Sequence, residues 1–256
     1  MSAEFVRLSQ VVRDVSSAYA AELRKKSPGP GLKRVFGYLA DRGIYSHAVE
    51  EFSLGFALPD STGVVVPLKT GHSPADLMAV GAIVRVEGGR YVDPLAGRLI
   101  FPQATPGGHM VGFIGRSIGG NAHDKYRATT ATDLFRRSEL LYRIDRARPF
   151  IEAEGAALVV EGYIDAVVLW QMGLRHVVAV GTATLSEPQA QILARYAGRL
   201  NIMFDNDEPG SEGFLAARKS RARWFAAIDR VTYPSTFKDP ADWALSKARG
   251  AGVVAR

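Results

Sequence analysis

Apolar residues recur at three- and four-residue steps near the start of the chain, at Phe5, Leu8, Val12, Val15, Tyr19 and Leu23. That stripe predicts an amphipathic helix over residues 5–26, with Lys25 and Lys26 suited to the negative end of its dipole. Ser27-Pro28-Gly29-Pro30-Gly31 breaks it. A second helix runs through Tyr38, Leu39 and Ala40 and closes at Gly43, and Ser46 is placed to cap a third ending near Phe52. Ser73-Pro74 opens another, with serine at the N-cap and proline at the first helical position. Gly63–Leu68 reads as a short strand. Arg98–Pro102 and His109–Gly115 read as a strand pair around the turn Thr105-Pro106-Gly107-Gly108, before a glycine-rich stretch over 112–120. A basic helix is expected from about Thr132 to Arg146.

The pattern changes near residues 149–156. Ala157–Val160, His176–Val180 and Leu200–Phe204 are short apolar runs. Segments of helical character separate them, at Ile164–Met172, Glu187–Tyr196 and Gly210–Ala227, and a fourth strand is expected near Val231–Tyr233. Strands alternating with helices imply βαβ units and a parallel sheet. The expected fold class is an α+β N-terminal basic subdomain (1–150), then an α/β domain with a central parallel sheet (151–236), then a short helical tail (237–256).

With 256 residues and 47% apolar content, the chain can bury a real core. It has no cysteine, which rules out disulfides and a cysteine-ligated zinc ribbon, and its five histidines lack ligand spacing. No apolar run approaches the length of a membrane span, and residues 1–4 do not open a signal peptide, so a cytoplasmic protein without membrane partners is expected. The net charge of +6 is concentrated: residues 97–148 hold nine Lys/Arg (Arg98, Arg116, Lys125, Arg127, Arg136, Arg137, Arg143, Arg146, Arg148) against Asp124, Asp133, Glu139 and Asp145. Such a face suits a polyanion.

Three acidic clusters follow in order: Glu161-Gly162-Tyr163-Ile164-Asp165, Asp205-Asn206-Asp207 and Lys238-Asp239-Pro240. In open parallel sheets, ligands bind beyond the C-terminal ends of the strands. Glu161 and Asp205 each stand where an apolar run gives way to a loop. In Asp205-x-Asp207 an extended backbone puts both side chains on one face. Oxygen ligands of this kind hold Mg²⁺ or Mn²⁺ and leave coordination positions for phosphate. Taken singly, each acid has a plainer reading: Asp207 as an N-cap, Asp165 as a first-turn acid, Asp239-Pro240 as a turn. Together they point to metal-dependent phosphate chemistry.

The run VVEGYIDAVVLWQMGLRHVVAVGTATL, residues 159–185, resembles the TOPRIM domain of bacterial DnaG-type primases. The later motifs match at Asp205, Asp207 and Asp239-Pro240. The likeness extends upstream through Tyr38-Leu39-x-x-Arg42-Gly43, Phe52–Phe56, Arg98–Pro102, Gly112–Arg116, Lys125-Tyr126 and Asp133–Tyr142, so it covers about residues 10–245. Asn206 stands where the family commonly has glycine, Glu208 where it has arginine and Arg137 where it has lysine. The resemblance implies a catalytic core that makes short RNA primers on single-stranded DNA from ribonucleoside triphosphates. It implies Glu161, Asp165, Asp205, Asp207 and Asp239 as catalytic acids, with Glu161, Asp205, Asp207 and Asp239 on two or more Mg²⁺ or Mn²⁺ ions. It implies Arg98, Arg116, Lys125, Arg136 and Arg137 against template and nucleotide. It also implies a replicative helicase and a separate zinc-binding module as partners, the latter because this chain carries no cysteine. A TOPRIM-type nuclease and a non-catalytic single-stranded DNA-binding subunit remain alternatives.

Overall fold

The computed structural model describes residues 1–25, 29–119 and 124–250. The chain divides into two compact units, Met1–Asp41 with Tyr45–Arg137, and Arg42–Ile44 with Ser138–Arg256.

In the first unit the long helix α1 spans Ala3–Leu23. The Ser2 hydroxyl caps it by accepting the Phe5 N–H at 3.1 Å. Its stripe of Leu8, Val12, Val15, Tyr19 and Leu23 is buried as the spacing requires. Lys25 does not serve the helix end; it pairs with Glu22 at 2.5 Å. Lys26, Ser27 and Pro28 lie outside the described residues, and Pro30 and Gly31 of the expected break instead open α2, which runs from Pro30 to Asp41. The short helix α3 (Ser46–Glu51) starts one residue earlier than a Ser46 cap would give, since Tyr45 is its N-cap. The helix α4 (Pro74–Ala79) is capped by Ser73 as expected.

A four-stranded antiparallel sheet packs on α1 in the order β1 (Gly55–Phe56), β4 (Arg98–Ala104), β5 (Met110–Ser117), β6 (Tyr126–Ala128). Its Ile100 and Phe113 join the α1 stripe in one core. A two-stranded ribbon, β2 (Val84–Arg85) with β3 (Tyr91–Val92), lies apart from that sheet. Gly63–Leu68 is not a strand. Its residues fall between and within two 3₁₀ turns, Asp60–Thr62 and Val66–Thr70. Pro67 has no N–H to give a ladder, and Thr62 closes its own turn on the Pro59 carbonyl at 2.8 Å.

The expected basic helix from Thr132 to Arg146 is also absent. The Thr132 hydroxyl accepts from the N–H groups of Leu134 (3.2 Å) and Phe135 (3.1 Å), which closes a side-chain turn instead of a helical one. Tyr142 makes a bridge to Ala179. Arg143 then adopts a left-handed conformation (φ 68°), and only after it does α5 run, from Ile144 to Glu154.

The second unit is the parallel sheet that the alternation predicts. Its strands are β7 (Ala156–Val160), β8 (Val177–Ala179), β9 (Arg199–Ile202) and β10 (Ala227–Arg230), in the order β10-β9-β7-β8. Helices α6 (Tyr163–Gln171), α7 (Glu187–Leu193) and α8 (Glu208–Arg221) connect them, and α9 (Pro240–Gly250) follows. Every residue of β7 is buried, the mark of a parallel strand covered on both faces. The last strand ends just before the segment expected for it, because Val231 already gives its N–H to Ile202 at the sheet's end. Helix α5 packs its Ile144, Ala147 and Ile151 into this unit's core. The division therefore falls between Arg137 and Ser138, and the composition shift at 149–156 lies in α5 and the turn into β7. Among the described residues no helix is long and apolar enough to cross a membrane.

Candidate active site

Strands β7 and β9 are hydrogen-bonded neighbours, with Val159 opposite Ile202. Their chain ends therefore carry Glu161 and Asp205 to the same edge of the sheet. The Asp205 N–H donates to Glu161 Oε1 at 3.1 Å, so the two acidic motifs are joined directly. Asp207 is the N-cap of α8 and accepts the Gly210 N–H at 3.0 Å. The N-cap reading of Asp207 is found, and the capping bond holds its side chain beside the strand end. Asp165 lies in the first turn of α6, is 7% exposed, and accepts the Ala241 N–H at 3.0 Å. Asp239 accepts the Asp242 N–H at 2.8 Å and lies 3.6 Å from the Arg42 guanidinium, which also meets Asp242 at 3.3 Å.

The acids sense one another. Burial first, then Asp205 and Asp207, push Glu161 up to about 7, against the opposing hydrogen bond from Asp205. Burial first, then Asp239 and Asp205, hold Asp165 well above the usual carboxylate range. Tyr233 is raised by burial and by the fields of Asp205, Asp165 and Asp239. Carboxyl groups from three chain segments are therefore close enough to disfavour one another's ionisation. Two glycines make room for them. A Cβ on Gly210 would lie 2.3 Å from the Asp205 carbonyl and 2.9 Å from Glu161 Oε1, and one on Gly162 would lie 2.2 Å from Asp165 Oδ2.

This donor set fits a divalent hard cation: it is all oxygen, crowded with like charge, and cradled by a residue that must lack a side chain. Among the described residues no three such groups form a closed cage. One or two of these carboxylates, with water or phosphate completing the shell, would match the coordination that Mg²⁺ commonly takes.

The basic candidates lie in the first unit. Arg98 and Arg116 do not face the same way. Arg98 stands opposite Ser117 and Arg116 opposite Leu99, so strand alternation puts their side chains on opposite sheet faces. Arg98 is 6% exposed and donates to the Asp124 carbonyl at 2.9 Å and to its carboxylate, which Arg127 shares at 2.8 Å. Arg116 is 8% exposed and donates to the Tyr126 hydroxyl. Its guanidinium carbon lies 4.7 Å and 5.0 Å from the ring centres of Tyr38 and Tyr126. Lys125 and Arg136 are exposed and Arg137 is half-buried.

Residues 19–148 match the family described as the N-terminal domain of the DNA primase catalytic core. The chain belongs to this DNA primase family. Residues 158–244 match the Toprim-like family, which spans all three acidic motifs. A DNA primase of Deinococcus radiodurans is 33% identical over 251 residues, covering 96% of this chain and 43% of that protein. The chain thus spans less than half the length of that relative. The zinc-binding and RNA polymerase domains of the Aquifex aeolicus primase superpose with a TM-score of 0.83 at 26% identity, covering 96% of this chain and 59% of that one. A DnaG primase catalytic domain bound to single-stranded DNA superposes with a TM-score of 0.78 at 25% identity, covering 98% and 78%. The primase likeness, the α+β and parallel-sheet fold class and the strand-end placement of Glu161 and Asp205 expected from the sequence are all found.

Three residues near the acids were not singled out as site residues by sequence. Arg42 precedes Asp239 by nearly two hundred positions, and no local pattern connects them. Tyr233 looked like a strand residue, yet its hydroxyl reaches the carbonyls of Phe204 (3.2 Å) and Lys238 (3.1 Å). Asn206 did carry a signal, as a departure from glycine between two acids.

Proposed function

We propose that the chain is a primase catalytic core that joins ribonucleotides into short primers on single-stranded DNA. The observation that carries this reading is the meeting of Glu161 with the Asp205-Asn206-Asp207 loop at the end of adjacent parallel strands, with Asp165 and Asp239 behind them. In the reaction the 3′-hydroxyl of one nucleotide attacks the α-phosphate of the next and pyrophosphate leaves. Glu161, Asp205, Asp207 and Asp239 would hold two Mg²⁺ or Mn²⁺ ions. Such ions lower the hydroxyl's pKa and offset charge on the phosphate. Glu161 also fixes the Asp205 backbone, and α8 orients Asp207 through its cap. Asp165, buried and bonded to Ala241, positions the start of α9 beside Asp239 instead of meeting substrate. Exposed Lys125 and Arg136, with Arg137, contact phosphates of template and incoming triphosphate. Arg98 and Arg116, already engaged, shape the sheet that presents them. A zinc-binding module and the replicative helicase would be supplied by other segments or chains.

The test is an incubation with single-stranded DNA, ribonucleoside triphosphates and Mg²⁺ or Mn²⁺. Short RNA whose sequence follows the template is the expected product. Cutting of labelled DNA in the absence of nucleotides, with no RNA made, would replace this reading with a nuclease.

A further inference from the structure

We infer that Asn206 is a positioning residue, whose side-chain amide holds the Asp239 loop against the Asp205–Asp207 loop so that both segments serve one divalent-cation site. The inference rests on the reading of these acids as such a site. Glu161 and Asp205 owe their places to sheet register. Asp239 does not: it follows residues 231–238, which contain neither helix nor strand. Something other than the ladder must fix it.

Arg42 meets Asp239 itself at 3.6 Å, and Asn206 ties the segment leading to it. Its backbone N–H donates to the Lys238 carbonyl at 2.8 Å. Its Nδ2 lies 3.1 Å from the Phe237 carbonyl, 3.3 Å from that of Pro234 and 3.4 Å from that of Tyr233. An amide has two protons for these three acceptors, so at least one is shared. Three carbonyls around one nitrogen also settle which end of the amide points inward. The Tyr233 hydroxyl reinforces the clasp, since its single proton can serve the Phe204 or the Lys238 carbonyl. Beyond the acid, Ala241 is bound to Asp165. Asp239 is therefore gripped on both sides, and on the upstream side the grip comes from the residue between the two acids of the neighbouring motif. Glycine at this position would keep the backbone bond to Lys238 and lose the three side-chain contacts.

The test is a cycle of Mn²⁺ titrations on the full chain without nucleotide, read by the electron paramagnetic resonance of free Mn²⁺, for the wild type, Asn206→Gly, Asp239→Asn and the double variant. Asn206→Gly is expected to weaken Mn²⁺ binding about tenfold, the usual cost of losing a group that orients a ligand. In the Asp239→Asn background the same change should cost less than about twofold, because the residue through which it acts is gone. Unchanged Mn²⁺ binding by Asn206→Gly would overturn the inference. So would an equal loss in both backgrounds, which would mark Asn206 as merely structural. If Asn206→Gly does not fold, Asn206→Ser, which restores one donor, carries the same cycle. Primer synthesis is followed in parallel: Asn206→Gly should need more metal for half-maximal rate. A wild type that binds Mn²⁺ and makes no RNA would end the polymerase reading, while the Mn²⁺ cycle would still decide the role of Asn206.

Discussion

Asp93 is 4% exposed, and its two oxygens accept the Tyr19 hydroxyl and the Leu95 N–H, both at 2.8 Å. Neither partner carries charge, so burial dominates and pushes the acid up to about 6 from 3.8. The sign follows from linkage. The folded state holds this proton more tightly than the unfolded chain. The stabilisation is complete below about 3.8 and is lost as pH rises through about 6. A two-unit difference corresponds to about 3 kcal/mol between the two limits. Asp93→Asn keeps an acceptor for Leu95 and offers an N–H to the Tyr19 oxygen, so it should flatten this dependence. Urea unfolding at pH 4.5 and pH 7.5 checks it: the wild type should lose stability across that range and the variant should lose clearly less. At the same scale, Asp207 was legible as a cap because a short carboxylate just before an expected helix is placed to accept from its first turn. Asp93 gave no signal, since its burial is a tertiary property and its partner Tyr19 lies 74 positions away in the chain.

Strand alternation separates the cations that sequence grouped together. Arg116, held between the rings of Tyr38 and Tyr126, belongs to the packing of β5 and β6 against α2. Arg116→Ala removes the guanidinium packed on the two rings and its bond to the Tyr126 hydroxyl, so it should cost about 1–3 kcal/mol of stability. Lys125→Ala, at an exposed position, should change stability by less than about 0.5 kcal/mol. It should instead lower the salt slope of single-stranded DNA binding by about 0.7. Denaturant unfolding and fluorescence anisotropy at several salt concentrations measure the two effects separately. The parallel strands were legible because apolar runs of strand length alternate with helical segments, and because acids after such runs must fall at a strand end. The helix expected over Thr132–Arg146 was not. Its polar periodicity resembles a helix face, but the Thr132 hydroxyl and the Tyr142–Ala179 bridge take up the backbone groups that a helix would use. Tertiary pairing overrides a weak local preference of that kind.

The acids belong to the unit of residues 42–44 and 138–256, and the candidate phosphate contacts Lys125, Arg136 and Arg137 to the unit that ends at Arg137. Binding and chemistry should therefore separate by mutation. Glu161→Gln keeps an oxygen to accept the Asp205 N–H and removes a crowded charge. It should abolish primer synthesis, leave single-stranded DNA affinity within about twofold, and leave the unfolding midpoint unchanged or raised. Primer assays, anisotropy and thermal unfolding on one preparation distinguish these outcomes. Sequence alone determined the class of each half, the order of the acids and the strand ends that carry Glu161 and Asp205, because hydrophobic periodicity and strand-end position are local properties. Only the tertiary structure decided which groups meet. Arg42 joins Asp239, Asn206 holds the loop from Tyr233 to Lys238, and Arg98 and Arg116 turn to opposite faces. Those relations depend on strand pairing, register and burial, which bring together residues that no spacing along the chain connects.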